Sequence, residues 1–226
     1  MESGMTKRML VWTIAMVMVG VLPASAQARV EISGFAGWTF SDGVSGDPTL
    51  SPADGQIYDR IDPKDSANFG FSFGVLAGDN AEIGFIYSQQ ASTLVIGGTS
   101  EREIGDLAIK TYHGYFGYNW GDPDAVVRPF FFGGLGTTNF GQVTGTILNE
   151  TRTLGSETQF STTWGAGVKI FPSPHVGVRI GAHWTPTYIK TDAGGWWCDP
   201  WYGCYLVGNA QYSNQFQFNG GITFKF

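Results

Sequence analysis

Charged side chains are scarce in this chain, and several of them alternate with apolar residues along short segments. Only 14% of the 226 residues are Asp, Glu, Lys or Arg. The charged residues in alternating segments are Glu31, Glu82, Arg128, Lys169, Arg179 and Lys225. If these side chains share one enclosed interior, two acids among four bases predict an ion-paired network with excess positive charge, because an unpaired buried charge costs several kcal/mol. Such an interior fits either a structural plug or an anion-preferring pore.

A second group of acids lies in residues 41–68. It comprises Asp42, Asp47, Asp54, Asp59, Asp62 and Asp65. Carboxylates are suitable ligands for calcium, but their spacing here matches no calcium-binding loop. We therefore interpret them as solvated surface acids and predict no metal site.

The amino-terminus has the pattern of an export signal. Lys7 and Arg8 precede an apolar run over residues 9–22, and residues 23–26 read PASA, with small side chains where a leader peptidase cleaves. We expect residues 1–26 to be a cleaved signal peptide, with Ala28 as a second possible cleavage position. The remaining chain carries 18 acidic and 11 basic side chains, a net charge of −7. This balance argues against nucleic acid as a partner.

The two cysteines, Cys198 and Cys204, lie close together in the segment WWCDPWYGCY. An even number of cysteines in an exported protein predicts a disulfide, whereas a zinc site would need further Cys or His ligands. The short closed loop would present exposed aromatic side chains, namely Trp196, Trp197, Trp201 and Tyr202. These fit contact with lipid, sugar or another protein, and equally a position folded back over the rest of the molecule.

The elements that would position these residues are strands. The last segment, QYSNQFQFNGGITFKF, has aromatic and aliphatic residues at even positions and amides, hydroxyls and Lys225 at odd positions. A period of two indicates a β-strand with two unlike faces. Seven earlier segments repeat the pattern, over residues 30–40, 69–77, 81–95, 107–120, 126–140, 160–171 and 176–188. Together with 211–226 they predict eight strands, an even number suited to a closed antiparallel barrel.

The predicted connections alternate between short and long. Short turns fall at residues 78–80, 121–124 and 172–175, and long loops at 41–68, 97–106, 141–158 and 190–210. The fold class predicted for residues 27–226 is therefore all-β, an eight-stranded antiparallel up-and-down transmembrane β-barrel with a lipid-facing exterior and a polar lumen. A ten-stranded alternative would place a hairpin within residues 41–68, but the three prolines and weak alternation there disfavour it.

The closing FNGGITFKF, the hairpin GAGVKIFPSPHVGVRIGAHW and the leader resemble the small eight-stranded outer-membrane barrels of the protein A, W and X type. The resemblance implies the bacterial outer membrane of a Gram-negative cell, with outer-membrane lipid and lipopolysaccharide as neighbours and no cofactor. It also implies that Phe226 is the aromatic signal read by the barrel assembly machinery. These motifs are specific for the architecture and weak for any activity.

The function predicted from these features is structural or surface-interactive, exerted through the extracellular loops, with the extracellular partner left open. The alternative is a narrow porin-like channel for small or apolar solutes. An eight-stranded barrel is only just wide enough for its own side chains, which favours the plug. A third possibility is a lipid A-modifying enzyme, because some small barrels resemble such enzymes. Its candidate residues would be His113 and His183, but neither lies in the His-x-Ser pattern, so we predict no catalysis.

Strand parity adds expectations for one segment. Ile180 should face lipid, while Arg179 and Gly181 should face the lumen. We expect Arg179 to pair with Glu31 or Glu82, and a Gly181→Ser replacement to be mild because a hydroxyl can find partners in a polar interior.

Overall fold

The computed structural model describes residues 29–50, 56–147, 150–189, 198–199, 203–204 and 211–226. The expected signal peptide and the aromatic residues Trp196, Trp197, Trp201 and Tyr202 lie outside these ranges. All regular structure in the described residues is β. Within them, no helix has the length and apolar character required to cross a membrane.

The described residues form strands of very unequal length. In chain order they are β1 (Arg29–Ser41), β2 (Val44–Leu50), β3 (Ile57–Pro63), β4 (Ser66–Ala77), β5 (Ala81–Gly98), β6 (Arg102–Asn119), β7 (Val127–Phe140), β8 (Val143–Ile147), β9 (Glu150–Leu154), β10 (Glu157–Ile170), β11 (Val176–Ile189), β12 (Cys198–Asp199), β13 (Gly203–Cys204) and β14 (Gln211–Lys225). The long strands pair in the closed antiparallel order β1–β4–β5–β6–β7–β10–β11–β14 and back to β1. The predicted eight-stranded barrel is confirmed.

The first and last strands of the barrel, β1 and β14, pair with each other and close it. β14 pairs with β1 in a register that places Lys225 opposite Glu31. The amide of Val30 donates to the carbonyl of Phe226 at 3.1 Å, and the amide of Phe226 donates back to Val30 at 2.9 Å. The start of β1 and the end of β14 therefore lie on the side of the short turns, which in outer-membrane barrels is the periplasmic side.

The two faces of the strands are reversed relative to a soluble protein. Outward side chains are apolar and exposed, as Phe218 and Ile180 show with exposed fractions of 57% and 58%. Inward side chains are mostly polar and buried, and many of them hydrogen-bond to one another: the hydroxyls of Ser33 and Thr223 are 2.8 Å apart across the β1–β14 seam. This arrangement suits lipid outside and a polar lumen inside.

The strands β5 and β6 run further than the alternation pattern predicts. The expected loop at residues 97–106 shrinks to residues 99–101, because β5 continues to Gly98 and β6 begins at Arg102. Beyond the barrel the inward face becomes apolar, with Leu94 and Ile96 on β5 and Leu107 on β6 buried together. A shared apolar core thus keeps the two strands paired above the membrane.

The long loop predicted at residues 41–68 contains the hairpin that its prolines and weak alternation disfavoured. Strands β2 and β3 form a hairpin there, and β3 adds to the outer end of β5, with Ile61 opposite Ile96. The prolines are tolerated because of where they lie. Pro48 falls where the β2–β3 register shifts, and Pro63 is the last residue of β3, so neither removes a regular ladder hydrogen bond from a central strand. The barrel itself keeps eight strands.

The hairpins β2–β3 and β8–β9 and the outer ends of β5 and β6 together form what we call the extracellular head. β8 packs beside β6, where a β-carbon on Gly105 would lie 2.4 Å from the Thr144 carbonyl oxygen. The head and the barrel mouth enclose one cluster of buried apolar residues, namely Val44, Ile61, Leu94, Ile96, Ile104, Leu107, Ile109, Phe140, Val143, Leu154 and Ile189. The loops in this part of the chain are therefore folded around a core of their own.

The outward position of Ile180 gives a direct test of the strand register. We predict that Ile180→Arg destabilises the barrel by about 2–4 kcal/mol, because the guanidinium would lie against acyl chains. Unfolding in urea, followed by the different gel mobilities of folded and unfolded barrel, measures the change, and Ile180→Leu is the matched control. A harmless Ile180→Arg would mean that β11 is shifted by one residue.

Gly181, in contrast, cannot serve as the mild inward control expected from the sequence. A β-carbon there would lie 2.9 Å from the Ala166 carbonyl oxygen and 3.3 Å from the ring of Phe130. Since the first of these contacts is with backbone of the neighbouring strand, Gly181→Ser requires the wall to shift.

Candidate functional site in the barrel interior and extracellular head

The charged centre of the lumen is Lys169. From β10 its ammonium group contacts Oε2 of Glu31 on β1 and lies 2.7 Å from Oε2 of Glu82 on β5. Glu82 is held by two further donors, the Tyr115 hydroxyl at 2.6 Å and the Asn119 amide at 2.9 Å. All these side chains are buried. The ion cluster of Glu31, Lys169 and Glu82 therefore ties three separate strands together across the interior.

The other three bases of the predicted network are buried in the interior but lie outside this cluster. Arg179 donates to the Ser72 hydroxyl at 3.0 Å and lies 4.5 Å from the ring centre of Phe130. Arg128 donates to the carbonyl of Asp79 at 2.9 Å. Lys225 donates to the carbonyl of Pro123 at 3.2 Å, with Asp124 3.8 Å away.

The expected pairing of Arg179 with Glu31 or Glu82 is therefore wrong, because Lys169 occupies that position. Two physical features explain the difference. A cation over an aromatic face is stabilised without a carboxylate, which accounts for Arg179. Arg128 and Lys225 are near the periplasmic ends of their strands, where turn carbonyls accept their hydrogen bonds.

Above the ion cluster a layer of rings crosses the lumen. We call it the aromatic layer; it consists of the rings of Phe35, Tyr115, Phe130 and Phe132 together with the aliphatic side chain of Ile86. Tyr115 and Phe132 have ring centres 5.2 Å apart, and Phe132 meets the imidazole of His183 edge-on at 5.1 Å. Phe35 contacts the same imidazole from β1 at 5.7 Å. The rings thus bridge from wall to wall.

Glycines on the inner wall make room for these rings. A β-carbon on Gly165 would lie 2.4 Å from Phe132, and one on Gly84 would lie 2.6 Å from Tyr115. Large side chains that lie opposite glycines pack closely together and fill the interior of a small barrel. The lumen at this level is a packed core.

His113 has a partner that the sequence did not reveal. Its Nε2 lies 2.8 Å from the Ser161 hydroxyl, which also accepts from Thr138 at 3.0 Å, and Thr187 donates in turn to Thr138 at 2.9 Å. Both His113 and Ser161 are in register with Gly136 on the strand between them, so the missing side chain lets them meet. Strand alternation is the sequence signal that would place both side chains inward, but their contact depends on the registers of three strands. Each is about 1% exposed, so the pair is a buried link in a hydroxyl chain.

The surface of the extracellular head is fastened by ion pairs. Arg60 on β3 contacts Glu101 at 2.9 Å, and Lys64 contacts Glu103, joining the β3 side to the β5–β6 tip. The hydrogen bond that Lys64 donates to the Glu103 carboxylate raises the pKa of Lys64. Burial raises the pKa of Asp62, an effect that the Arg60 guanidinium opposes. In the described residues no group of three or more His, Cys, Asp or Glu is arranged to hold a metal ion.

Cys198 and Cys204 are opposite each other in the β12–β13 backbone ladder. Opposed residues of antiparallel strands have α-carbons ~4.5–5.5 Å apart, a separation that a disulfide spans. We predict that the two cysteines are oxidised in the native protein and that the bond contributes at most about 3 kcal/mol, since the loop is short. Alkylation of unfolded, unreduced protein checks this: modification of both thiols would refute it.

The closed strand order, lipid-facing exterior and packed polar lumen agree with the comparison to known proteins. Residues 10–226 match the family model described as the outer membrane protein beta-barrel domain. The chain belongs to this family. It is accordingly a protein of the bacterial outer membrane, as its resemblance to the small eight-stranded barrels implied. No curated protein sequence matches the chain.

Solved structures share the fold at low sequence identity. The outer membrane protein OprG from Pseudomonas aeruginosa is 14% identical over 88% of this chain and 96% of its own, with a TM-score of 0.59. Neisserial surface protein A is 11% identical over 89% of this chain and 98% of its own, with a TM-score of 0.50. At these identities the similarity establishes the architecture and leaves the activity to be argued from the chain itself.

Proposed function

We propose that this protein is a closed barrel whose extracellular head is its functional part, a surface for interaction with a partner outside the cell. The observation that carries the proposal is the head's own buried core. Leu94 and Ile96 are fully buried above the barrel, at the level where loops would otherwise be solvated. A folded head with fastened hairpins presents a fixed surface, which lowers the ordering cost of binding.

The interior supports the same function. All members of the aromatic layer and the ion cluster are buried, and Lys169 is only about 1% exposed. A pore would need side chains with access to water along its length. The lumen instead serves as the rigid support on which the head stands.

One observation favours a second function, a narrow channel for apolar solutes. The barrel mouth is lined by apolar side chains, including Ile109, Phe140 and Ile189, directly above the polar lumen. An apolar mouth would admit apolar molecules. They would then meet the hydroxyl chain at His113 and Ser161, and below it the aromatic layer. Passage would require these packed layers to move.

Site-specific photo-crosslinking in living cells tests the proposed interaction. A photoreactive amino acid is placed at Thr99 or Glu101, both exposed at the β5–β6 tip, and in a separate variant at Asp79 in a periplasmic turn as the matched control. We expect irradiation to give a discrete adduct from the head positions that is absent from the Asp79 variant.

Solute uptake by proteoliposomes tests the alternative function, the narrow channel. We expect no uptake of a small sugar, a small anion or a small apolar solute above that of protein-free liposomes. Uptake of the apolar solute together with absence of head adducts would overturn the proposal in favour of the channel. Absence of adducts without uptake would also contradict the interaction role.

A further inference from the structure

A groove of about 510 Å³ opens on the membrane-facing wall over β10, β11 and β14. Its lining includes Trp164, Trp184, Tyr188, Tyr212, Thr162 and Asn214. Tyr188 and Tyr212 are opposite each other near the extracellular ends of β11 and β14. Aromatic residues at this depth mark the boundary between acyl chains and headgroups. The groove therefore runs from the headgroup level into the outer half of the membrane.

The ladder beneath the groove is interrupted at Pro186. Strands β10 and β11 are paired at Ser161 and Thr187 and again at Trp164 and Trp184, with no ladder pairing between these positions. Proline lacks the amide hydrogen that a ladder needs, so it is rarely found within a strand. On its other side Pro186 remains in register with β14. The interruption is thus confined to the β10–β11 seam, and Pro186 itself lines the groove.

The aromatic side chains of the groove are held in place by polar partners. The indole N–H of Trp164 donates to the Thr162 hydroxyl, and that of Trp184 donates to the Asn214 side-chain oxygen, both at 3.2 Å. Trp184 also stacks on Phe216, with an interplanar angle of 10°. Tyr188 and Tyr212 meet edge-to-face at 5.7 Å. Fixed rings lose little entropy on binding a ligand, which favours a preformed site.

The lining chemistry identifies the kind of occupant. The groove faces the membrane, so its occupant is a membrane lipid. None of the described residues that line it is charged, so a lipid phosphate would find no cation among them. Apolar ring faces suit an acyl chain, and phenol and amide groups at the rim suit the hydroxyls of a sugar.

We propose that this groove binds one glycolipid of the outer leaflet, with an acyl chain along Trp164 and Trp184 and a sugar ring at the rim formed by Tyr188, Tyr212 and Asn214. The site depends only on the placement of the barrel in the outer membrane. It is independent of the interaction role proposed for the extracellular head, and either assignment can fail while the other stands.

Native mass spectrometry of the full-length protein in nanodiscs tests the assignment. The nanodiscs contain phosphatidylglycerol with a minor fraction of an uncharged glycolipid, a dephosphorylated form of the lipid A type. We expect the released barrel to retain one glycolipid. Trp184→Leu should reduce the retained fraction about tenfold, the size of effect that losing one well-packed aromatic contact produces. Trp38→Leu is the matched control, since Trp38 is a membrane-facing tryptophan on β1 outside the groove.

Two further variants separate loss of the site from loss of the fold. Tyr212→Phe removes only the phenol hydroxyl and should weaken retention several-fold in a barrel with unchanged gel mobility. Pro186→Val restores an amide hydrogen to the seam and should also reduce retention. Equal losses in Trp184→Leu and Trp38→Leu, equal retention of phosphatidylglycerol, or no retained glycolipid would each overturn the proposal.

Discussion

Replacing Lys169 with Met should destabilise the barrel by about 3–5 kcal/mol, the largest effect that we expect from a single interior substitution. Lys169 is the base that both Glu31 and Glu82 contact, and its removal leaves two carboxylates buried in one another's field. Equilibrium unfolding in urea, read from the gel mobilities of folded and unfolded barrel, measures the loss.

Neutralising the acids should reverse much of this loss. Lys169→Met combined with Glu31→Gln and Glu82→Gln should be clearly more stable than Lys169→Met alone, because no unpaired charge remains. Arg179→Ala is the comparison, since its contacts are one hydroxyl and aromatic rings and its loss should not be relieved by the same acid replacements. A Lys169→Met cost below about 1 kcal/mol would show that the ion cluster does not hold the interior together.

Introducing a charge into the core of the extracellular head should have the second large effect. Leu94→Asp places a carboxylate at a fully buried position among apolar side chains, and we expect the head to lose about 3 kcal/mol of local stability. Because cleavage follows the population of opened states, proteolysis of the head on intact cells should become roughly a hundredfold faster. The heat-modified gel mobility of the barrel should not change.

Thr99→Asp is the control for this experiment, since Thr99 is exposed at the tip between β5 and β6. It should leave proteolysis at the wild-type rate. If Leu94→Asp were no more susceptible than Thr99→Asp, the head would not be folded around a core. If Leu94→Asp prevented barrel assembly altogether, the head and the barrel would form one cooperative unit instead of two.

Alternation along the sequence was sufficient to predict the barrel strands, because lipid favours apolar residues on one face of each strand and the lumen favours polar residues on the other. The segment 176–188 predicted β11 to within one residue of its observed end, and the placement of Ile180 outside and Arg179 inside followed from parity alone. The six charged residues were identified as interior in the same way. Parity fixes the face of a residue and says nothing about its distance from residues on other strands.

Because alternation gives no distances between strands, the sequence did not show that Lys169 is the base that contacts Glu31 and Glu82. Which base reaches Glu31 and Glu82 depends on registers around the whole barrel and on side-chain length, and a nearby aromatic face gave Arg179 a different partner. The contact of His113 with Ser161 was missed for the same reason. Gly181→Ser was expected to be mild, but the Ala166 carbonyl oxygen approaches Gly181 so closely that a larger residue would clash with it.

The extracellular head was missed because its strands lack a lipid-facing side. Outside the membrane there is no constraint that one face be uniformly apolar, so β2 and β3 show no clear alternation. In β5 the inward residues change from Ser92 to Leu94 and Ile96 without any break in the strand. A change from a polar to an apolar inner face at the end of a barrel strand is the sequence signal that could have revealed the core.

The lumen of the barrel is closed by its own buried side chains. Single-channel recording of the full-length protein in planar bilayers tests this closure most directly, with Phe130→Ala/Phe132→Ala as the variant that removes two rings of the aromatic layer. The wild-type protein should give no discrete current steps, and the double variant should give steps whose size varies with the salt concentration. Regular steps from the wild-type protein, unchanged in the double variant, would contradict a closed interior.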